Sequence, residues 1–238
     1  MLLVLLAMLG ALAGVLTTLA GMGGGLLLIA ALTLLGGPHH ALAVTSPALF
    51  VSNVHRAALF RAEIDRRVAL SVGAGALPGA LLGGLVLPAV PEVVVTLILL
   101  ATTIAAVLRA KGLLRLQPRG RSLAAAGAGV GALSSTSGGA GLLLGPVIMS
   151  AGLTGASLVA TIAACAATMH VGRVVGYAAS GLLTSDVVAP VLAVMFGLVA
   201  GNLLGRRARA VVRPGREPTI ELCALVISTG LAAVGLAR

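Results

Sequence analysis

The chain is poor in charge and poorest in acid: 9% of its residues are charged, and only six are Asp or Glu. Soluble domains carry about 25% charged residues, so a soluble globular fold is excluded. Every carboxylate, moreover, falls at or near the end of an apolar run: Glu63, Asp65, Glu92, Asp186, Glu217 and Glu221. Cation carriers and proton pumps commonly place an acid inside the membrane. None stands at that depth here, which argues against a cation substrate and leaves any coupling to backbone carbonyls or histidine.

Aromatic residues are as scarce. There is no Trp, one Tyr and three Phe, so the net charge of +10 comes without the aromatic or basic module of a nucleic-acid binder. The basic residues cluster in short loops between apolar segments, the pattern that retains Lys and Arg on the cytoplasmic side of a membrane. The two cysteines, Cys165 and Cys223, lie in separate apolar segments with no C-x-x-C spacing, so neither a disulfide framework nor a metal site is implied. No GxSxG, HExxH or Walker sequence occurs. The formal GxGxxA match at Gly127–Ala132 lies in an apolar segment with no strand before it. No enzyme and no cofactor is expected. Met1 to Gly14 lacks a basic n-region and already contains the start of a repeat, so it reads as part of the body rather than as a signal peptide.

What the chain does have is apolar length. With 59% hydrophobic residues and a mean hydropathy of +1.14, it reads as an all-α polytopic membrane protein, with the lipid bilayer as its surroundings. Apolar segments fall at 2–20, 24–36, 41–60, 68–88 and 92–108, then at 122–135, 140–152, 156–180, 186–206 and 217–237. A full span needs roughly 20 residues, so 24–36 and 140–152 are short and are expected to cross broken or to re-enter.

The two series are related. A shift of 117 residues brings Gly10, Ala11, Gly14, Leu16, Gly21, Gly24, Leu26 and Leu27 onto identical residues, and sets Thr17 and Thr18 on Ser134 and Ser135. The expected organisation is a first repeat at 1–110, a basic cytoplasmic linker at 111–121 and a second repeat at 122–238. The fourth and ninth segments carry Gly75-x3-Gly79-x3-Gly83 and Gly197-x3-Gly201-x3-Gly205, a spacing that lets helix backbones pack closely. Basic loops follow the third, fifth and ninth segments. They share one side only if each half crosses an odd number of times, which gives two inverted-topology repeats of about five helical segments each. The same count sets the N-terminus outside.

The broken helices are the functional candidates, because irregular backbone at membrane depth must be buried in protein or line a wet cavity. Gly21, Gly23, Gly24 and Gly25 in the first break, and Gly138 and Gly141 in the second, can present main-chain N–H groups at helix N-termini, where anions are attracted. Hydroxyls surround them: Thr17 and Thr18, then Ser134, Ser135, Thr136 and Ser137. Thr45 and Ser46 meet Thr161 and Ile162 at a shift of 116, adding hydroxyls on the third and eighth segments. The interior cations are Arg56 and Arg173, again 117 apart, with His170 one turn before Arg173 on the same face. Together these suggest a small anion as substrate. The plainer alternatives are close packing by Gly and Ser, an Arg56 that snorkels to the interface, and a His170 satisfied within the core.

The Gly-x3-Gly helix, the Gly21-Met-Gly-Gly-Gly25 break and Leu35-Gly-Gly-Pro-His-His-Ala-Leu-Ala-Val-Thr-Ser46, partly repeated after a basic linker, resemble the TauE/SafE sulfite-exporter family over nearly the whole chain. The second half departs from the pattern in having Gly-Gly-Ala-Gly, and Ile162 where the first has Ser46. The resemblance implies a multi-pass permease of the bacterial inner membrane for small sulfur-containing anions such as sulfite, sulfonates or sulfoacetate. A secondary transporter working by alternating access is the expected function. The alternative is a non-transporting subunit or scaffold assembled through its glycine faces. A homo-oligomer is compatible with either.

Overall fold

The computed structural model describes residues 1–113, 122–209, 211 and 216–237. Among them it forms α1 (Leu2–Ala20), α2 (Gly24–Leu59), α3 (Arg66–Val86), α4 (Glu92–Ala110), α5 (Ser122–Ser137), α6 (Ala140–Met149), α7 (Gly155–Ala179), α8 (Val188–Arg209) and α9 (Glu217–Leu236), with no strand. Seven of the helical stretches are long and apolar enough to cross a membrane. The chain is an all-α polytopic membrane protein. Residues 114–121 of the expected linker, and Arg213 in the later basic loop, lie outside the described residues.

The short segments expected at 24–36 and 140–152 are real and differ in form. A straight helix of 36 residues would run about 54 Å, well beyond a hydrocarbon core of about 30 Å. α2 is instead broken at Gly37, whose φ of 81° and ψ of 167° no helix contains. Pro38 enforces the break, since its ring disfavours helical backbone in the residue before it. The result is a first arm at 24–36 and a second at 38–59. α6 is a separate helix of ten residues, about 15 Å long and half the depth of the core.

Two helix crossings hold the bundle, and they match residue by residue. Gly197, Gly201 and Gly205 of α8 lie against Ala7, Ala11 and Val15 of α1, while Gly75, Gly79 and Gly83 of α3 lie against Ala124, Ala128 and Ala132 of α5. A methyl group added to Gly201 would sit 2.1 Å from the Ala11 carbonyl oxygen, and one added to Gly79 would sit 2.1 Å from that of Ala128. In lipid there is little hydrophobic force between helices, so this backbone-to-backbone approach supplies the packing energy.

The order of these contacts fixes helix direction. α1 runs parallel to α8, and α3 runs parallel to α5 and, through Gly172 and Gly176 against Leu77 and Leu81, to α7. The second arm of α2 follows α8, with His40 in electrostatic reach of Asp186 and Ser52 bonded to Asn202. It opposes α7, with Ser46 beside Tyr177 and Arg56 beside His170. So α1, the second arm of α2 and α8 point one way; α3, α5 and α7 point the other.

Candidate functional site

α1 ends at Gly21, whose left-handed φ of 81° closes the helix with its N–H on the Thr17 carbonyl. Gly23 has a φ of 92°, and α2 begins at Gly24 with no side chain capping its first turn. The second break is built alike. Gly138 and Gly139, at φ 77° and 72°, turn the chain from α5 into α6, which also starts without a side-chain cap. Only glycine adopts such backbone without penalty, and each turn leaves uncapped N–H groups at a helix N-terminus.

The two breaks touch. A Cβ at Gly141 would lie 3.7 Å from the Gly21 carbonyl oxygen, and Ile29 and Leu26 of α2 cover Gly138 and Gly139. Between them is a small cavity of about 30 Å³ lined by Gly23, Gly25, Gly139, Ala140 and Gly141, together with Thr17, Met22, Ser52, Asn53, Arg56 and His170. It has room for about one water.

Arg56 is 2% exposed. It does not snorkel: Nη1 donates to the Thr17 carbonyl at 3.0 Å and Nη2 to Asn53 Oδ1 at 2.7 Å. This clamp aims the guanidinium at the first break. His170, 1% exposed, faces the same cavity with no hydrogen-bond partner on either ring nitrogen. No acid lines the cavity beside Arg56. The one buried carboxylate among the described residues, Glu221, is paired with Arg109 at 2.5 Å outside the cavity.

Arg173 is also fully buried but does not line this cavity. Its Nε donates to the Tyr177 hydroxyl at 3.0 Å, its guanidinium lies 5.5 Å from that ring's centroid, and Nη1 and Nη2 have no partner. Tyr177 in turn donates to the Ser135 carbonyl, and Ser46 stands beside it. The structure thus divides the expected site into an Arg56–His170 cluster at the breaks and an Arg173–Tyr177 cluster next to it.

The remaining expected hydroxyls do not line this cavity. Thr18 donates to Asn202 in the α1–α8 crossing. Ser135 serves the α3–α5 crossing by donating to the Ala80 carbonyl, at the position equivalent to Asn202. Thr45 and Ser46 donate to their own helix, at the Ala41 and Leu42 carbonyls, and Thr136 and Ser137 to that of Leu133. Ser134 donates to the Gly131 carbonyl and Met169 sulfur. Thr161 accepts from the Asp65 N–H. Asn53, Ser52, Met22 and Tyr177 were not among the expected residues. The 117-residue shift carried the signal for two of them, since it sets Asn53 on His170 and Phe60 on Tyr177.

A larger cavity of about 500 Å³ opens at the arginine-rich end, walled by Met22, Arg109, Met149, Arg209 and Glu221. Met22 borders both this vestibule and the inner cavity. Its sulfur accepts from Arg109 Nη2 at 3.5 Å, and it fills the space that a side chain at Gly145 would take, 2.3 Å from where a Cβ would stand.

The fold is a polytopic helical membrane bundle in which two uncapped helix starts and the buried Arg56 guanidinium face one inner cavity. The chain belongs to the TauE/SafE sulfite exporter family, whose family model matches residues 6–234. Membership implies a membrane transporter of sulfur compounds rather than an enzyme. No curated protein and no solved structure matches the chain.

Proposed function

We propose that this protein is a secondary transporter that moves a small sulfur oxyanion, sulfite or a sulfonate, across the bacterial inner membrane by alternating access. The observation that carries the proposal is the convergence of two uncapped helix N-termini and the clamped Arg56 guanidinium on one cavity that no carboxylate enters. Helix starts and arginine each favour anions. Such a cavity has no complement for a cation.

The halves at 1–110 and 122–238, joined by the linker 111–121, are on this reading inverted repeats. Support comes from helix direction: α1 opposes its counterpart α5, the second arm of α2 opposes α7, and α3 opposes α8. Exchange of conformation between such halves is how inverted repeats alternate access. In the opposite-facing state Arg173 takes the posture that Arg56 has here, and Arg56 lets go. Met22 is the seal between vestibule and site in the present state, since the inner cavity is too small for an oxyanion until that side chain withdraws.

The scaffold alternative rested on the glycine faces. Those faces are filled within the chain, α8 on α1 and α3 on α5, which leaves no glycine row there for a partner. The test is ligand-induced thermal stabilisation of the purified protein by sulfite, thiosulfate and ethanesulfonate against matched carboxylates. A sulfur oxyanion at 100 times its Kd stabilises by about 2.7 kcal/mol; no response to any anion contradicts the proposal.

A further inference from the structure

His170 and Asn53 are equivalent under the 117-residue shift, yet they do different things. Asn53 gives its side-chain oxygen to Arg56. His170, fully enclosed, gives neither ring nitrogen to anything and looks into the cavity between the breaks. An imidazole is the side chain that gains and loses a proton near neutral pH. We infer that His170 binds a proton together with the anion, so that the transported load is one anion and one proton. This rests on the anion site proposed above and names its coupling ion.

The charges around the ring decide the sense of the coupling. Arg56 faces it from α2, and Arg173 and Tyr177 come from its own helix, the two guanidiniums acting on it directly. The lining contributed by α1, the two breaks and α6 is Thr17, Met22 and small or apolar residues, with no titratable group. α3 meets α7 through Leu77, Leu81 and the glycines. A third positive charge beside two guanidiniums is unfavourable while the site is empty. An oxyanion in the cavity cancels that repulsion and offers the N–H of an imidazolium an acceptor. Linkage makes the effect mutual: by whatever factor the anion favours the proton, the proton favours the anion.

Release follows from the same geometry. In the opposite-facing state Arg173 meets His170 as Arg56 meets Asn53 here. An imidazole accepts from a guanidinium only through an unprotonated nitrogen. Arrival of Arg173 therefore expels the proton along with the anion. The first half, with Asn53 in that place, has no such step, which sets the stoichiometry at one proton per cycle.

The experiment adds thiosulfate, an anion that does not titrate near neutrality, to the purified full-length protein in weakly buffered solution with a pH indicator. Binding is measured in parallel by calorimetry. The wild type takes up about one proton per thiosulfate bound, and its affinity falls about tenfold per pH unit on the alkaline side of the transition, as a one-proton linkage requires. His170→Gln binds more weakly, takes up no proton and loses the pH dependence. His170→Asn, which copies the other half, serves as the second variant if His170→Gln does not fold. Thiosulfate binding by the wild type without proton uptake, or proton uptake that survives in a folded His170 variant, overturns the inference and leaves the anion site standing. Failure of thiosulfate, sulfite and ethanesulfonate to bind at all overturns the anion site, and the coupling with it.

Discussion

Arg56 and Arg173 stand 117 residues apart at equivalent places but are held in opposite ways: Arg56 has partners on both terminal nitrogens and none on Nε, while Arg173 has a partner on Nε and none on either terminal nitrogen. Buried charges without partners are strongly unfavourable, and in the proposed cycle Arg173 is the member whose terminal nitrogens are free in one state and engaged in the other.

Replacing Arg173 separates its fold role from its transport role. Arg173 has no counter-charge and bonds only through Nε to Tyr177, so relief of its burial cost offsets the bond lost, and Arg173→Gln is expected to melt no lower than wild type while anion flux in vesicles falls at least tenfold. A variant that melts normally and transports normally shows that Arg173 takes no part in the cycle.

The two glycine crossings make a paired prediction. Gly79→Val and Gly201→Val each drive a Cβ to 2.1 Å from a backbone carbonyl oxygen, a clash with main chain that no rotamer relieves. Both are expected to abolish a cooperative melt or to lower Tm by comparable amounts. A large loss at one position and none at the other contradicts the equivalence of the two crossings.

Met22 is expected to control access from the arginine-rich end. Met22→Ala removes the seal. Gly145→Ala displaces it, because the new methyl lands 2.3 Å from the flexible sulfur rather than from backbone. With Ser52→Cys as reporter in a background lacking Cys165 and Cys223, both changes should speed labelling by a small charged thiol reagent added on the cytoplasmic side by about tenfold or more. Equal labelling with and without Met22 places the barrier elsewhere.

Topology follows from the same end. Single cysteines at Lys111 and Val211, both exposed, are expected to react only from the cytoplasm, and one at Leu35, at the far end of the first arm of α2, only from outside. Labelling of Lys111 and Val211 from opposite faces is incompatible with inverted halves.

Much of this was legible in the sequence because its signals are local. Helix bounds follow apolar length, and the breaks follow Gly21–Gly25 and Gly138–Gly141, where backbone at positive φ needs glycine. The identity of the helices that cross followed from the Gly75 and Gly197 rows only in part, since spacing shows a close-packing face without naming what it meets. Thr17 lines the inner cavity, and the other expected hydroxyls do not, most of them for a physical reason. Inside an apolar bundle a Thr or Ser satisfies itself on the carbonyl four residues back, as Thr45, Ser46 and Ser137 do. Asn53 was passed over because an amide in an apolar run carries no charge to mark it; its importance comes from Arg56, one turn on, which needs an acceptor. That Arg173 turns to Tyr177 rather than to the breaks depends on rotamers that spacing does not reveal.

Anion flux through Arg56 is the most direct measurement of all. Wild type and Arg56→Gln are reconstituted in sealed vesicles and sulfite efflux is followed down an imposed gradient. Hydrogen bonds to a charged group contribute about 1.5–3 kcal/mol, which converts to a loss in anion affinity of roughly 10- to 150-fold. The wild type is expected to move sulfite, and Arg56→Gln to lose that flux at low sulfite while remaining folded. Arg56→Gln moving sulfite at the wild-type rate and affinity would contradict an anion site between the glycine breaks.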